Sequence, residues 1–152
     1  MNEVTKILCE RRSIRKFKDE QIPVEILNEI LKCGTFAPNG KSKQSARIVV
    51  IQNRELIEKI AKINGSFVNK VGLNPFYNAP TLVIVFADKN VSTYVEDGCA
   101  VISNMINAAF SLGVDSCWVR IRLKFSTLPV NRKWVTGKLN FGRKNLLKKG
   151  AP

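Results

Sequence analysis

Thr81-Leu82-Val83-Ile84-Val85-Phe86-Ala87, entered through Ala79-Pro80, is a continuous apolar run of strand length. A strand that is apolar without alternation is covered on both faces. Further along, Asp97 to Leu112 is apolar on nearly every side, with Ala100, Val101, Ile102, Met105, Ile106, Ala109, Phe110 and Leu112 filling most positions. Such a helix lies at the centre of a core, or buries a second face against another subunit.

Working outward, Ile48 to Gln52 is a short β-branched run and a second candidate strand. Asn53 is placed to cap the helix that follows, whose Leu56, Ile57, Ile60 and Ile63 recur at helical spacing, with Gly65 closing it. Ile22-Pro23-Val24-Glu25 starts another helix, proline being tolerated in a first turn. Ile26, Leu27, Ile30 and Leu31 form its stripe, and Gly34 is expected to end it in the left-handed conformation. Asn2 to Glu10 puts Val4, Ile7 and Leu8 on one face of a short first helix. Helices and strands mix without strict alternation, so the fold class is α+β.

The 152 residues suffice for one domain with a core. No window approaches the roughly 18 apolar residues of a membrane span, and the chain opens with polar residues where an export signal needs an apolar run. A soluble, cytoplasmic protein without membrane association is the expectation. Cys9, Cys33, Cys99 and Cys117 form no C-x-x-C pair and the chain has no histidine. A zinc site is therefore not expected, and the cysteines read as reduced, structural core residues. Without histidine the usual triads and the commonest general base are also missing. Chemistry, if any, falls to a cofactor, and no catalytic side chain is assigned.

The net charge of +13 divides unevenly. Residues 1–118 hold 15 Lys+Arg and all 12 Asp+Glu, whereas residues 119–152 hold 10 Lys+Arg and no acid. The excess is mostly a tail, and two regions are expected: 1–118 as the folded domain and 119–152 as a basic, atypical C-terminal stretch.

Two loops carry candidate site residues. Arg11-Arg12-Ser13-Ile14-Arg15 follows the first helix. Guanidinium forks match phosphate oxygens bidentately and a hydroxyl adds a further bond, although basic residues at a helix exit also complement the macrodipole with no ligand. Pro38-Asn39-Gly40-Lys41-Ser42-Lys43-Gln44 combines turn chemistry with amide and hydroxyl groups suited to the polar edge of a flat heterocycle. Taken alone it is equally a solvated turn. A phosphate clamp with polar edge-binders is what a mononucleotide cofactor needs. Neither G-x-G-x-x-G nor G-x-x-x-x-G-K-[ST] occurs.

The arginine motif continued by Lys16-Phe17, the Ala-Pro-Asn-Gly-Lys-Ser-Lys-Gln loop, the Ala79-Pro80 strand entry, and Asp97-Gly98 through Gly113-Val114-Asp115-Ser116-Cys117-Trp118 occur in the order and spacing of the FMN-dependent nitroreductase family, which the chain resembles over about three quarters of its length. The resemblance implies a central antiparallel sheet flanked by helices, two intertwined chains in a homodimer, and FMN at their interface. Arg11, Arg12 and Ser13 match positions that hold the flavin phosphate. Arg15 matches a basic position near the N1/O2 edge of the flavin. Ser42 stands where many members carry asparagine, Gln44 matches an amide position against the flavin, and Gly40 allows close backbone approach. Ser45-Ala46 replaces the usual proline-tryptophan pair. The implied activity is an NAD(P)H oxidoreductase that takes hydride at flavin N5 and passes electrons to a small-molecule acceptor such as a nitro compound or quinone.

After about residue 118 the family pattern stops. Phe125, Leu128, Trp134, Leu139, Phe141, Leu146 and Leu147 follow no sustained period, as expected of an altered or frame-shifted end. Two other readings follow from that end. One is an inactive flavin-binding remnant. The other, less favoured, is a nucleic-acid-binding protein acting through the basic tail, with Phe125, Trp134 and Phe141 for stacking.

Overall fold

A computed structural model describes residues 1–66 and 74–120. Apart from Val119 and Arg120, the basic tail and the readings attached to it lie outside the described residues. The elements in order are α1 (Glu3–Glu10), α2 (Val24–Thr35), β1 (Ala46–Ile51), α3 (Arg54–Ser66), β2 (Leu82–Ala87) and α4 (Tyr94–Ser111).

β1 and β2 pair antiparallel, with Ile48 opposite Val85, Val49 opposite Ile84 and Val50 opposite Val83. Successive strand side chains point to opposite faces, so this register sorts the sheet into two apolar sides. Ile48, Val50, Val83 and Val85 pack on a core of Leu27, Ile30, Leu31, Ala37, Val101, Met105 and Ala109 supplied mainly by α2 and α4. Val49, Ile51, Leu82, Ile84 and Phe86 belong to the opposite core, with Ile57, Ile60, Ala61 and Phe76. The continuous apolar run of β2 thus reflects packing on both faces. Most of its side chains are only half-buried, and Ile84 alone among them is fully buried.

Local chemistry sets the element ends. Asn2 caps α1 by accepting the Thr5 N–H at 2.9 Å, and Asn53 caps α3 by accepting the Leu56 N–H at 2.8 Å. α4 ends in a Schellman arrangement: Gly113 adopts φ +74°, its N–H bonds Phe110 O, and the Val114 N–H bonds Ala109 O at 2.8 Å.

Four expectations need correction. Gly34 does not end α2; it is buried inside the helix, where a Cβ would stand 2.7 Å from Met105 Cγ. The close α2–α4 crossing, and not a left-handed cap, requires glycine there. Gly65 likewise lies within α3, which continues to Ser66. α4 begins about one turn before Asp97, which is a buried residue of its first turn. Cys9 is exposed, while Cys33, Cys99 and Cys117 are half-buried, and all four thiols are free.

An open, largely apolar groove of about 690 Å³ runs between β2 and α4, lined among others by Phe17, Tyr77, Val83, Ile102, Met105 and Trp118. None of the seven candidate site residues lines it. Among the described residues no helix is long and apolar enough to cross a membrane, and no group of three or more acidic, cysteine or histidine side chains is placed to hold a metal.

Candidate functional site

The arginine motif leaves α1 at its C-cap, Arg11, whose N–H bonds Ile7 O. Arg12 turns its guanidinium back onto the helix end, donating to Cys9 O at 2.7 Å and Arg11 O at 3.0 Å. Its side chain thereby satisfies carbonyls that the helix leaves open, the role a cation at a helix exit performs without any ligand. Arg11 and Ser13 differ. As residues, Arg11 is half-buried and Ser13 exposed, and neither makes a side-chain hydrogen bond or ion pair among the described residues. A guanidinium and a hydroxyl two residues apart, neither with a protein partner among the described residues, leave donors that an anion could take.

The next residue anchors this turn. Ile14 N–H donates to Ser116 O at 3.1 Å, tying the motif to the segment just after the α4 Schellman turn. Arg15 lies over the Tyr77 ring, 5.9 Å from its centroid, and both Tyr77 and Asn78 sit at positive φ in a tight turn. Two stretches far apart in sequence therefore support the arginine turn.

The second loop is clasped twice. Asn39 Oδ1 accepts the Gln44 N–H at 3.0 Å, closing the loop on itself. Asp97, 3% exposed in the first turn of α4, accepts the Gly40 N–H at 2.8 Å on one oxygen and the Ser45 hydroxyl at 2.6 Å on the other, with the Thr93 hydroxyl donating at 3.3 Å. These hydrogen bonds, the Ser45 hydroxyl first and the Gly40 N–H next, hold the Asp97 carboxyl below its ordinary value, against desolvation that pushes it up. Between the clasped ends Lys41, Ser42 and Gln44 adopt φ of 51°, 54° and 48°. Left-handed backbone costs a non-glycine residue about 1–2 kcal/mol, so three in four positions persist only where the surroundings fix them. The side chains of Lys41, Ser42, Lys43 and Gln44 are exposed as a result.

At Gly40 the close approach that the structure shows is to the chain's own α4 start: a Cβ there would lie 2.2 Å from Thr93 Oγ1. No hydrogen bond, ion pair or ring contact among the described residues joins the arginine turn to the 39–45 loop; within one chain they are two separate clusters. Asp97, Ser45 and Thr93 were missed as site residues. The available signal was an acid at the head of an otherwise apolar helix, where only a paired carboxylate can be buried.

Four likenesses to known proteins bear on this arrangement. The profile described as the Nitroreductase family matches residues 8–72. A protein of Archaeoglobus fulgidus, named as a candidate NADH dehydrogenase/NAD(P)H nitroreductase, is 32% identical over 126 residues, covering 80% of this chain and 69% of that protein. A protein of the same name from Methanothermobacter thermautotrophicus is 29% identical over 125 residues, covering 78% of this chain and 61% of the relative. The crystal structure of a nitroreductase with bound FMN from Bacteroides fragilis superposes with a TM-score of 0.73 at 33% identity, covering 78% of this chain and 70% of that one. The α+β arrangement is thus the nitroreductase fold, and the chain belongs to the nitroreductase family. It spans about six to seven tenths of the length of these relatives.

Proposed function

We propose that the chain is the flavin-binding portion of an FMN-dependent NAD(P)H oxidoreductase. The observation that carries this reading is the Arg11 guanidinium and the Ser13 hydroxyl, two residues apart and both without a protein partner among the described residues. Those residues suit an anionic phosphate in charge and donor chemistry. Arg11 would supply the charged fork, Ser13 the neutral bond, and Ile14, held to Ser116, would keep the turn from moving away. Arg15, held over the Tyr77 ring, would add positive potential. Ser42 and Gln44 would offer hydroxyl and amide groups to a heterocycle edge, with Gly40 seating their loop. Bound FMN would supply hydride acceptance from NAD(P)H and electron delivery to an acceptor such as a nitro compound or quinone. The protein needs no histidine for this, since its part is to bind and orient. Arg12, already used by the α1 carbonyls, would release that cap to reach a phosphate.

In this reading the site is composite, drawing the arginine turn from one protomer and the 39–45 loop from its partner in a homodimer. Residues 1–118 would form the flavin-binding unit and 119–152 an appended basic stretch. A second reading is a flavin-binding chain without turnover. The test is spectroscopic. Purified protein mixed with FMN should show a perturbed flavin absorption band, and NADH or NADPH should bleach it anaerobically. Binding without bleaching selects the second reading, and no binding rejects both.

A further inference from the structure

Asp97 and Ser45 lie outside the residues expected to touch a ligand, yet they hold the loop that carries Ser42 and Gln44. The two Asp97 oxygens take the two ends of one loop: the Gly40 N–H at 2.8 Å before it and the Ser45 hydroxyl at 2.6 Å after it. Both partners at the far end are shielded, Ser45 being 5% and Asp97 3% exposed. Ser45 is further fixed by its own carbonyl, which accepts the Asp88 N–H at 3.0 Å just beyond β2.

We infer that Asp97 and Ser45 are a positioning pair, a carboxylate–hydroxyl clasp that locks residues 40–45 in the left-handed shape presenting Ser42 and Gln44 to the cofactor. The inference rests on the flavin reading for what the loop presents, and on the geometry for the lock itself. Three left-handed non-glycine residues would relax if either end were freed. The seat of Gly40 on Thr93, the Asn39–Gln44 clasp and the Ser45 carbonyl bond do not use the hydroxyl, so losing the Ser45–Asp97 bond loosens the far end of the loop without undocking the rest.

The experiment compares the full chain with Ser45→Ala and Ser45→Thr, the second retaining a hydroxyl. Limited trypsin digestion reads the lock at Lys41 and Lys43, both exposed. Titration with FMN, followed by flavin fluorescence, reads presentation. Ser45→Ala should speed cleavage after Lys41 and Lys43 and weaken FMN about tenfold, the change expected from losing a hydrogen bond to a charged group. Far-UV circular dichroism should stay unchanged, and Ser45→Thr should recover much of both effects. Unchanged cleavage in Ser45→Ala overturns the lock. Faster cleavage with unchanged FMN affinity overturns the positioning role. A parent chain that takes up no FMN removes the flavin reading and the positioning role with it, while the cleavage comparison still decides the lock.

Discussion

The Ser45 hydroxyl donates to Asp97 Oδ2 at 2.6 Å across 52 residues of sequence, joining the entry of β1 to the first turn of α4. This contact makes stability depend on acid. The Asp97 carboxyl is lowered, so below about pH 4, the ordinary aspartate range, the unfolded chain binds more protons at this group than the folded one. The stabilisation is complete above that range and is lost as pH falls through the folded value. Urea denaturation of the parent and Asp97→Asn between pH 6 and 3 should give a stability difference that shrinks toward the acid end. A difference constant with pH would contradict the assignment.

Gly40 should not accept a side chain. An added Cβ would stand 2.2 Å from Thr93 Oγ1 and 2.8 Å from Thr93 Cβ, so the atoms in the way include one next to the backbone. Gly40→Ala is expected to cost about 1–3 kcal/mol, the usual penalty of overpacking. Thr93→Gly in the same chain should return part of it, measured by equilibrium unfolding. No recovery in the double variant would show that the strain lies elsewhere.

At the α2–α4 crossing, helix propensity and packing oppose each other. Gly34→Ala should gain about 1 kcal/mol of intrinsic helix preference but place a methyl 2.7 Å from Met105 Cγ and 3.1 Å from Ile48 Cδ1. Packing is expected to win, giving net destabilisation by thermal or urea unfolding. A stabilised variant would mean that Met105 moves aside at little cost.

The two neighbouring arginines should separate by role. Arg12→Ala removes two hydrogen bonds to the open carbonyls at the end of α1 and should lower stability by about 0.5–1.5 kcal/mol. Arg11→Ala removes a guanidinium with no protein partner among the described residues, so the unliganded protein should keep its stability while FMN affinity falls at least about tenfold. Unfolding and FMN titration of both variants check this. Equal effects of the two on the stability of the unliganded protein would contradict the division.

The elements were legible because their signals are local. The stripe of Leu27, Ile30 and Leu31, the Asn53 cap and the apolar run of β2 follow from spacing and composition, and each fell within a residue or two of its expected bounds. Gly34 misled for a physical reason: a glycine near a helix end looks the same in sequence whether it turns the chain or admits a neighbouring helix. The arginine turn was recognised, but the choice between helix cap and anion clamp depends on where each guanidinium points, which the letters do not encode. Asp97 was visible only as a helix start. Two of its partners lie 57 and 52 residues away, beyond the reach of any local pattern.

The central claim is that the Arg11–Ser13 turn binds the phosphate of FMN. Equilibrium titration of the purified chain with FMN, competed with riboflavin, which lacks the phosphate, tests it most directly. Saturable FMN binding, weakened by salt and by Arg11→Ala, with riboflavin binding far more weakly, is the predicted result. Equal affinity for FMN and riboflavin, or no saturable binding of FMN, would contradict it.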